Sequence, residues 1–397
     1  MAEPVFSLRD FSVSFDTQDG IVEAVKSANL DVFPGETLAI VGESGSGKSQ
    51  MMMGAMRLLA QNGRASGSAR YKGSELLTLS KRELNEIRGR KITMIFQEPM
   101  TSLDPLYTIG SQIMEPIRRH RGLSGRDAQA RALELLKLVK IPDAERRLRS
   151  YPHELSGGQR QRVMIAMAIA NETELLIADE PTTALDVTIQ AEVLDLLADL
   201  QKRLGMAMIF ITHDLNIVKR IADRVIVMRR GEIVETGAVE EIFEAPKMAY
   251  TKALLAAEPS GRKEPPAKDA PFMLEGRDVE VTFQLGGGWG SIAKEIRAVD
   301  RISLRLREGQ TIGIVGESGS GKSTLARALL RLLPSKGGIV MEGQEISGLD
   351  RKAMRPLRRE AQIVLQDPFG SLSPRMTCGE IVTEGLSGWP EGLVLHD

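Results

Sequence analysis

The chain has 397 residues, 52 basic and 53 acidic, with a formal charge of −1; that length houses one large domain and part of another, and the balance argues against nucleic acid as a partner. A single cysteine, Cys378, excludes an internal disulfide and suits a reducing cytoplasm. Met1–Asp10 lacks a basic-then-apolar leader, so export is not expected, and no stretch approaches the roughly 18 apolar residues of a membrane span.

In chain order, Leu8–Phe15 (LRDFSVSF) alternates as an antiparallel strand does. The apolar run Leu38–Val41 enters a glycine turn and a predicted helix over Lys48–Leu59, a strand–loop–helix unit. Between Thr101 and Arg149 the pattern is helical, with apolar positions at Ala132, Leu135, Leu136 and Val139. That stretch reads as a helical subdomain inserted into an α/β core. Leu175–Ala178 and Met208–Thr212 are short apolar runs expected to form buried parallel strands. Glu258–Pro271 (EPSGRKEPPAKDAP) has too little apolar surface to bury and reads as an exposed linker.

After the linker the pattern restarts. Gly276–Phe283 (GRDVEVTF) matches Leu8–Phe15, and Thr311–Ser323 (TIGIVGESGSGKS) matches Thr37–Ser49 (TLAIVGESGSGKS). Leu365–Pro374 (LQDPFGSLSP) matches Phe96–Pro105 (FQEPMTSLDP). Matching segments at nearly constant separation mean a duplicated domain and not a short repeat. The expected organisation is a complete nucleotide-binding domain at 1–257, a linker at 258–271 and an incomplete second copy at 272–397.

The octapeptide GESGSGKS carries the first chemistry. Gly42, Gly45 and Gly47 let the backbone wrap phosphate at a helix start, with Glu43, Ser44 and Ser46 between them. Lys48 is placed for the β- and γ-phosphates and Ser49 for Mg²⁺, with Gln50 following. The second copy offers Gly316, Glu317, Ser318, Gly319, Ser320, Gly321, Lys322, Ser323 and Thr324. A glycine-rich turn arises by chance often enough. An apolar strand before it, a helix after it and a second copy argue against chance here.

Leu175–Glu180 (LLIADE) ends an apolar strand in two acids. Asp179 can hold Mg²⁺ through water, and Glu180 can orient or deprotonate an attacking water. In Leu155–Gln159 (LSGGQ), Ser156, Gly157, Gly158 and Gln159 would open a helix whose positive end can face a γ-phosphate. The plain alternative is an ordinary helix cap.

With these motifs in order, the chain resembles an ATP-binding-cassette ATPase. Tyr151–Gln161 (YPHELSGGQRQ), Asp179–Asp186 (DEPTTALD) and Ile211–Leu215 (ITHDL) match that family's signature, Walker B, D-loop and switch segments. The implied fold is an α/β P-loop NTPase cassette: a RecA-like core, an antiparallel β subdomain and a helical subdomain, duplicated with the second copy incomplete. The resemblance makes Gln97 the Q-loop residue sensing Mg²⁺ and coupling to the membrane subunit. It makes Asp186 the D-loop contact, His213 the γ-phosphate switch and Phe15 the adenine-stacking aromatic. FQEPMTSLDP and Tyr250–Pro259 (YTKALLAAEP) are similar to the oligopeptide, dipeptide and nickel import ATPases. Gln50 departs from that pattern, where threonine is usual, as does Met248-Ala249-Tyr250, where His-Pro-Tyr is common.

That resemblance implies ATP and Mg²⁺ as ligands and permease transmembrane subunits as partners. A periplasmic solute-binding protein would act indirectly, and the location would be the cytoplasmic face of a bacterial inner membrane, held peripherally. The residues after Gln366 hold no second LSGGQ, acid pair or switch histidine. In the family, each P-loop faces the other cassette's signature. Lys322 would then face Leu155–Gln159 without acids of its own, while Lys48 would lack a facing signature. A homodimer through residues 1–257, or a partner ATPase, would complete two sites. The incomplete copy is expected to leave an uncovered sheet edge and poor stability. Two other readings stand beside an importer ATPase: a non-catalytic remnant that binds ATP, and a soluble tandem ATPase acting on ribosomes or DNA. The last usually has long charged helical linkers or zinc-binding insertions. A short proline-containing linker and one cysteine disfavour it here.

Overall fold

The computed structural model describes residues 3–97, 102–171, 173–183, 185–257, 261–285, 294–317, 319–350, 352–365 and 368–384. It divides into two units between Arg262 and Lys263, inside the predicted linker; Glu258, Pro259 and Ser260 of that linker lie outside the described residues.

In the first unit an antiparallel sheet is built from β1 (Phe6–Thr17), β2 (Gly20–Val32), β4 (Gly63–Tyr71) and β5 (Ser74–Glu75), in the order β2-β1-β4-β5. Alternation in β1 buries Phe6, Leu8, Phe11 and Val13 on one face. It slips where Asp10 adopts φ 45°, between Leu8 and Phe11, and a bulge there absorbs the extra residue. Phe11 and Val13 meet Gly54 of helix α1 (Lys48–Ala55), where a Cβ would stand 2.6 Å from the Val13 side chain. This helix is shorter than the predicted Lys48–Leu59. The backbone turns left-handed at Arg57, with φ 53°, and the helix cannot continue through it.

The second sheet runs β10 (Glu232–Ala238), β9 (Arg224–Arg229), β3 (Thr37–Val41), β8 (Ala207–Ile211), β7 (Leu175–Asp179), β6 (Ile92–Ile95). All neighbours are parallel except β10 on β9. Every residue of β3, β7 and β8 is buried, which is why these strands read as unbroken apolar runs. Because β3 lies between β8 and β9 with β7 next, its C-terminal end opens beside theirs. Ligands of such sheets bind at that end.

Flanking β6 are α2 (Lys81–Ile87) and a helical subdomain of α3 (Ile109–Arg121), α4 (Gly125–Leu138), α5 (Ala144–Arg147) and α6 (Gly157–Ala168). Ala132, Leu135, Leu136 and Val139, the apolar positions of the predicted pattern, lie in its core, joined by Ile113, Ile117 and Val163. Thr101, where the helical stretch was expected to begin, lies outside the described residues. The unit closes with α7 (Val187–Leu204), α8 (Leu215–Ile221), α9 (Val239–Glu244) and α10 (Ala249–Ala256).

One ion cluster ties the two sheets. Glu174, just before β7, accepts from the Tyr71 hydroxyl at 2.7 Å and from Lys91 Nζ at 2.8 Å, and pairs with Lys72. Burial pushes its pKa up, but these three donors outweigh that and hold it at about 2, below an ordinary 4.5. Folded Glu174 thus binds a proton more weakly than unfolded Glu174. Its contribution to stability is complete above pH 4.5 and is lost as pH falls from there toward 2. We expect Glu174→Gln to lower the melting temperature at pH 7 and to flatten its decline between pH 5 and pH 3, on the order of that window. Parallel melting curves of the two proteins across the range would refute it.

The second unit contains β11 (Phe272–Leu285), β12 (Lys294–Arg307), β13 (Lys336–Met341) and β14 (Gln344–Glu345), an antiparallel sheet ordered β12-β11-β13-β14. Helix α11 (Lys322–Leu329) packs Leu325, Ala328 and Leu329 against Val279, Val281 and Ile339. Short helices α12 (Met354–Leu357), α13 (Pro368–Ser371) and α14 (Cys378–Glu384) follow. The expected parallel sheet with one uncovered edge does not form among the described residues. Thr311–Val315, the counterpart of β3, is outside any strand and exposed. Ile363–Leu365, near the counterpart of β6, is likewise outside any strand and exposed. The reason is the ladder. In the first unit β3 is paired on both sides, by β8 and β9, and no described strand of the second unit takes either place. Gln366 lies outside the described residues.

Candidate nucleotide site

The loop between β3 and α1 is shaped by its glycines. Gly42 has φ 152°, and a Cβ there would stand 2.2 Å from the Met228 carbonyl oxygen. Gly47 has φ 99°, and its Cβ would meet the Ala24 carbonyl at 2.2 Å. Side chains at either position would push the loop off the strands beneath it. Inside the loop Lys48 is buried, and its Nζ donates to the carbonyls of Gly42 at 2.8 Å and Glu43 at 2.9 Å. Burial lowers its pKa, while the carboxylates of Glu180 and Asp179 oppose that shift. Ser46 is buried, whereas Glu43, Ser44 and Gly45 are exposed around the rim. The loop is a cradle of backbone with one cation held at its centre.

Ser49 donates through Oγ to Asp179 Oδ1 at 2.8 Å, joining the start of α1 to the end of β7. Burial raises the Asp179 pKa; the Ser49 hydroxyl and Lys48 pull against it. Glu180 follows, with φ 45° and its N–H donating to the Ile211 carbonyl at 2.9 Å. That left-handed kink swings its side chain off the sheet. Its Oε2 accepts from Gln97 Nε2 at 3.1 Å and from the Thr183 hydroxyl at 2.9 Å. Its Oε1 lies 3.3 Å from His213 Nδ1. The carboxylate is largely shielded, at 14 % exposure, while His213 is open at 62 %.

Residues expected from separate motifs therefore meet: Lys48, Ser49, Gln97, Asp179, Glu180 and His213. Thr183 was within a quoted motif but had no assigned role; its spacing of one turn from Glu180 is the signal that could have found it. Gln50 is half-buried at the start of α1.

Other predicted residues have different surroundings. Ser156 caps α6, its Oγ accepting from the Gln159 N–H while Gln159 Oε1 accepts from the Ser156 N–H, both at 3.3 Å. Ser156 and Gly157 are exposed. Gly158 is buried against α7, where a Cβ would stand 2.5 Å from Ile189. Asp186 caps α7, accepting from the Ile189 N–H at 3.0 Å. Phe15 is half-buried on the inner face of the antiparallel sheet, its ring against Gly63. In the second unit Gly316 and Gly321 repeat the positive φ of Gly42 and Gly47, and Lys322 donates to the carbonyls of Gly316 at 2.7 Å and Glu317 at 2.6 Å. Yet Glu317, Gly319, Ser320 and Ser323 are exposed, and Thr324 is half-buried in α11. Nothing comparable to the Met228 carbonyl lies against Gly316. Ser318 lies outside the described residues.

Beside Gln97 a cavity of about 370 Å³ opens between β6, α3 and α6, lined by Met56, Leu58, Met94, Phe96, Met164 and Met167. Among the described residues no helix is long and apolar enough to cross a membrane.

The ABC transporter family profile matches residues 25–183 and 299–390. The chain is 54 % identical to the peptidoglycan transport ATP-binding protein YejF of Agrobacterium fabrum, over 97 % of this chain and 71 % of that one. It is 45 % identical to the glutathione import ATP-binding protein GsiA of Escherichia coli K12, over 96 % of this chain and 67 % of that one. Among solved structures it is similar to the dimeric ATP-binding cassette MJ0796 bound to ADP and Pi. There the TM-score is 0.53 at 32 % identity, over 59 % of this chain and 98 % of that one.

Proposed function

The chain belongs to the ABC transporter family, and from that footing we propose that it is the ATP-hydrolysing subunit of a bacterial importer for peptides or related small solutes. The observation that carries this is the Glu180 carboxylate, held by Gln97, Thr183 and His213 beside the buried Lys48. A carboxylate so placed accepts a proton from, or orients, a water attacking the terminal phosphate. Lys48 neutralises phosphate charge, and the backbone N–H groups of the loop position it. In this reading His213 donates to the terminal phosphate, and Gln97, next to cavity-lining Phe96, couples that centre to the cavity.

ATP with Mg²⁺ fits the residues present. Gly42 and Gly47 let the loop lie against the carbonyls of Met228 and Ala24, where a Cβ would displace it, and Ser49 and Asp179 converge as an oxygen pair. No cluster of three or more acidic, histidine or cysteine ligands stands among the described residues. Mg²⁺ does not need one, since it keeps waters and takes phosphate oxygens as ligands. When bound, it supplies neutralisation of charge on the β- and γ-phosphates.

The exposed start of α6, with Ser156 and Gly157, makes no described contact with the loop of its own unit. We assign it to the nucleotide of an opposing cassette, a second copy of this chain or a partner ATPase. The Met-rich cavity beside Gln97 suits an apolar helix of a permease, since methionine adapts its shape to a partner. In this reading the protein sits peripherally on the cytoplasmic face of the inner membrane, its solute chosen by the permease and an external binding protein. Turnover is assigned to the first unit, because the second loop rests on the Ala298 carbonyl at Gly321 but has no strand behind Gly316 among the described residues.

Steady-state ATP hydrolysis against protein concentration, with Glu180→Gln as the blank, tests this. Specific activity should rise through the micromolar range as cassettes pair. A rate equal to the blank at every concentration would leave only a nucleotide-binding remnant.

A further inference from the structure

The tail from Tyr250 to Ala257 takes no part in the site described above, yet its first residue lies close to the phosphate loop. Helix α10 is tied down at its start. The N–H groups of Lys247 and Met248 donate to the Glu235 carboxylate of β10, at 2.7 and 3.2 Å. Tyr250 then packs, with Leu254 and Leu255, on a cluster containing Ala39, Val41 and Val227. These belong to the two strands from whose ends the loop and the β9–β10 hairpin emerge. The Arg229 guanidinium stands 4.7 Å from the centre of the Tyr250 ring. The Tyr250 hydroxyl is closed off from solvent. Burial raises its pKa, and Glu43 of the loop acts on it through both backbone and carboxylate.

Arg229 is next to the point where the hairpin supports the loop. Met228 offers the carbonyl under Gly42. Arg230 and Gly231, with φ 48° and 86°, make the two-residue turn. The Gly231 N–H donates to the Ser46 carbonyl at 3.0 Å, and its carbonyl accepts from the Lys26 N–H at 2.8 Å. The hairpin is thus a buttress touching the loop at two of its residues. In the second unit the corresponding loop lacks this support and is exposed.

We propose that Tyr250 is a positioning residue for the phosphate loop: stacked on Arg229, it fixes the β9–β10 hairpin under Gly42 and Ser46 and so sets the loop's geometry for nucleotide. The tail of the first cassette therefore tunes nucleotide affinity without touching nucleotide. This rests on the reading of the loop as a nucleotide site.

The test uses the full chain and a fluorescent ATP analogue. Arg229→Ala and Tyr250→Ala should each weaken its affinity about two- to five-fold, the range of one cation–π contact. The loss should appear in KM for ATP, with kcat held at saturation. Tyr250→Phe keeps the ring and should restore binding to within about two-fold of wild type. Because Tyr250 and Arg229 act as one stack, the double variant should lose no more than the weaker single variant. Arg229 is exposed, so its variant should melt as wild type does without nucleotide, and a fold defect would show there. Wild-type affinity in both alanine variants, or losses that simply add, would overturn the proposal. A wild-type chain that folds but binds no analogue would instead sink the nucleotide reading beneath it.

Discussion

Glu180→Gln protein is expected to bind ATP and to hydrolyse it about 10²- to 10⁴-fold more slowly, the usual contribution of a general base. Glutamine keeps the shape and can still accept at one oxygen from Gln97 or Thr183, which stand 3.1 and 2.9 Å away in the native site. It cannot take a proton. The left-handed backbone at Glu180 is unaffected by the exchange, so the fold should be intact. Two measurements settle it: phosphate release in steady state, and affinity for a fluorescent ATP analogue. Loss of both would mean that Glu180 holds the loop and not the water. Retention of hydrolysis would move the base elsewhere. His213 then becomes the next residue to replace, since it faces the same carboxylate at 3.3 Å.

Lys48→Ala should be more severe for binding. Removing one partner of a desolvated charge pair costs about 2–5 kcal/mol, or roughly 30- to 4,000-fold in affinity. Lys48 meets that description: it is 5 % exposed, and among the described residues its hydrogen-bond acceptors are Gly42, Glu43 and Ser46. The same change at Lys322 should alter nucleotide affinity by no more than about two-fold, because a loop without a strand behind Gly316 is less preorganised for its ligand. Titration calorimetry with ATP in EDTA separates the two. Equal losses would show that both loops carry nucleotide and that the second is rebuilt on binding.

Much of this site was legible before any fold was known. The spacing of glycines around Lys48 requires a backbone cradle, and an apolar strand ending in Asp179 and Glu180 places acids at a sheet's ligand-binding end. Other features needed three dimensions. Helix α1 stops at Ala55 because of the left-handed turn at Arg57, a conformation that no local composition announces. The exposure of Thr311–Val315 was also hidden. That segment has nearly the sequence of β3, and among the described residues no strand pairs beside it.

The sequence by itself determined the duplication, the cassette family and the candidate residues Lys48, Ser49, Asp179 and Glu180, since each depends on residue type and short spacing. Tertiary structure decided that, of two almost identical loops, only the first has its leading glycine backed by a strand among the described residues. A parallel strand takes its hydrogen bonds from chain far away: β3 is held by Ala207–Ile211 and Arg224–Arg229. It also decided that Gln97, Thr183 and His213 converge on one carboxylate, and that Tyr250 lies against the hairpin beneath Gly42. Those are contacts between distant segments, which only packing brings together.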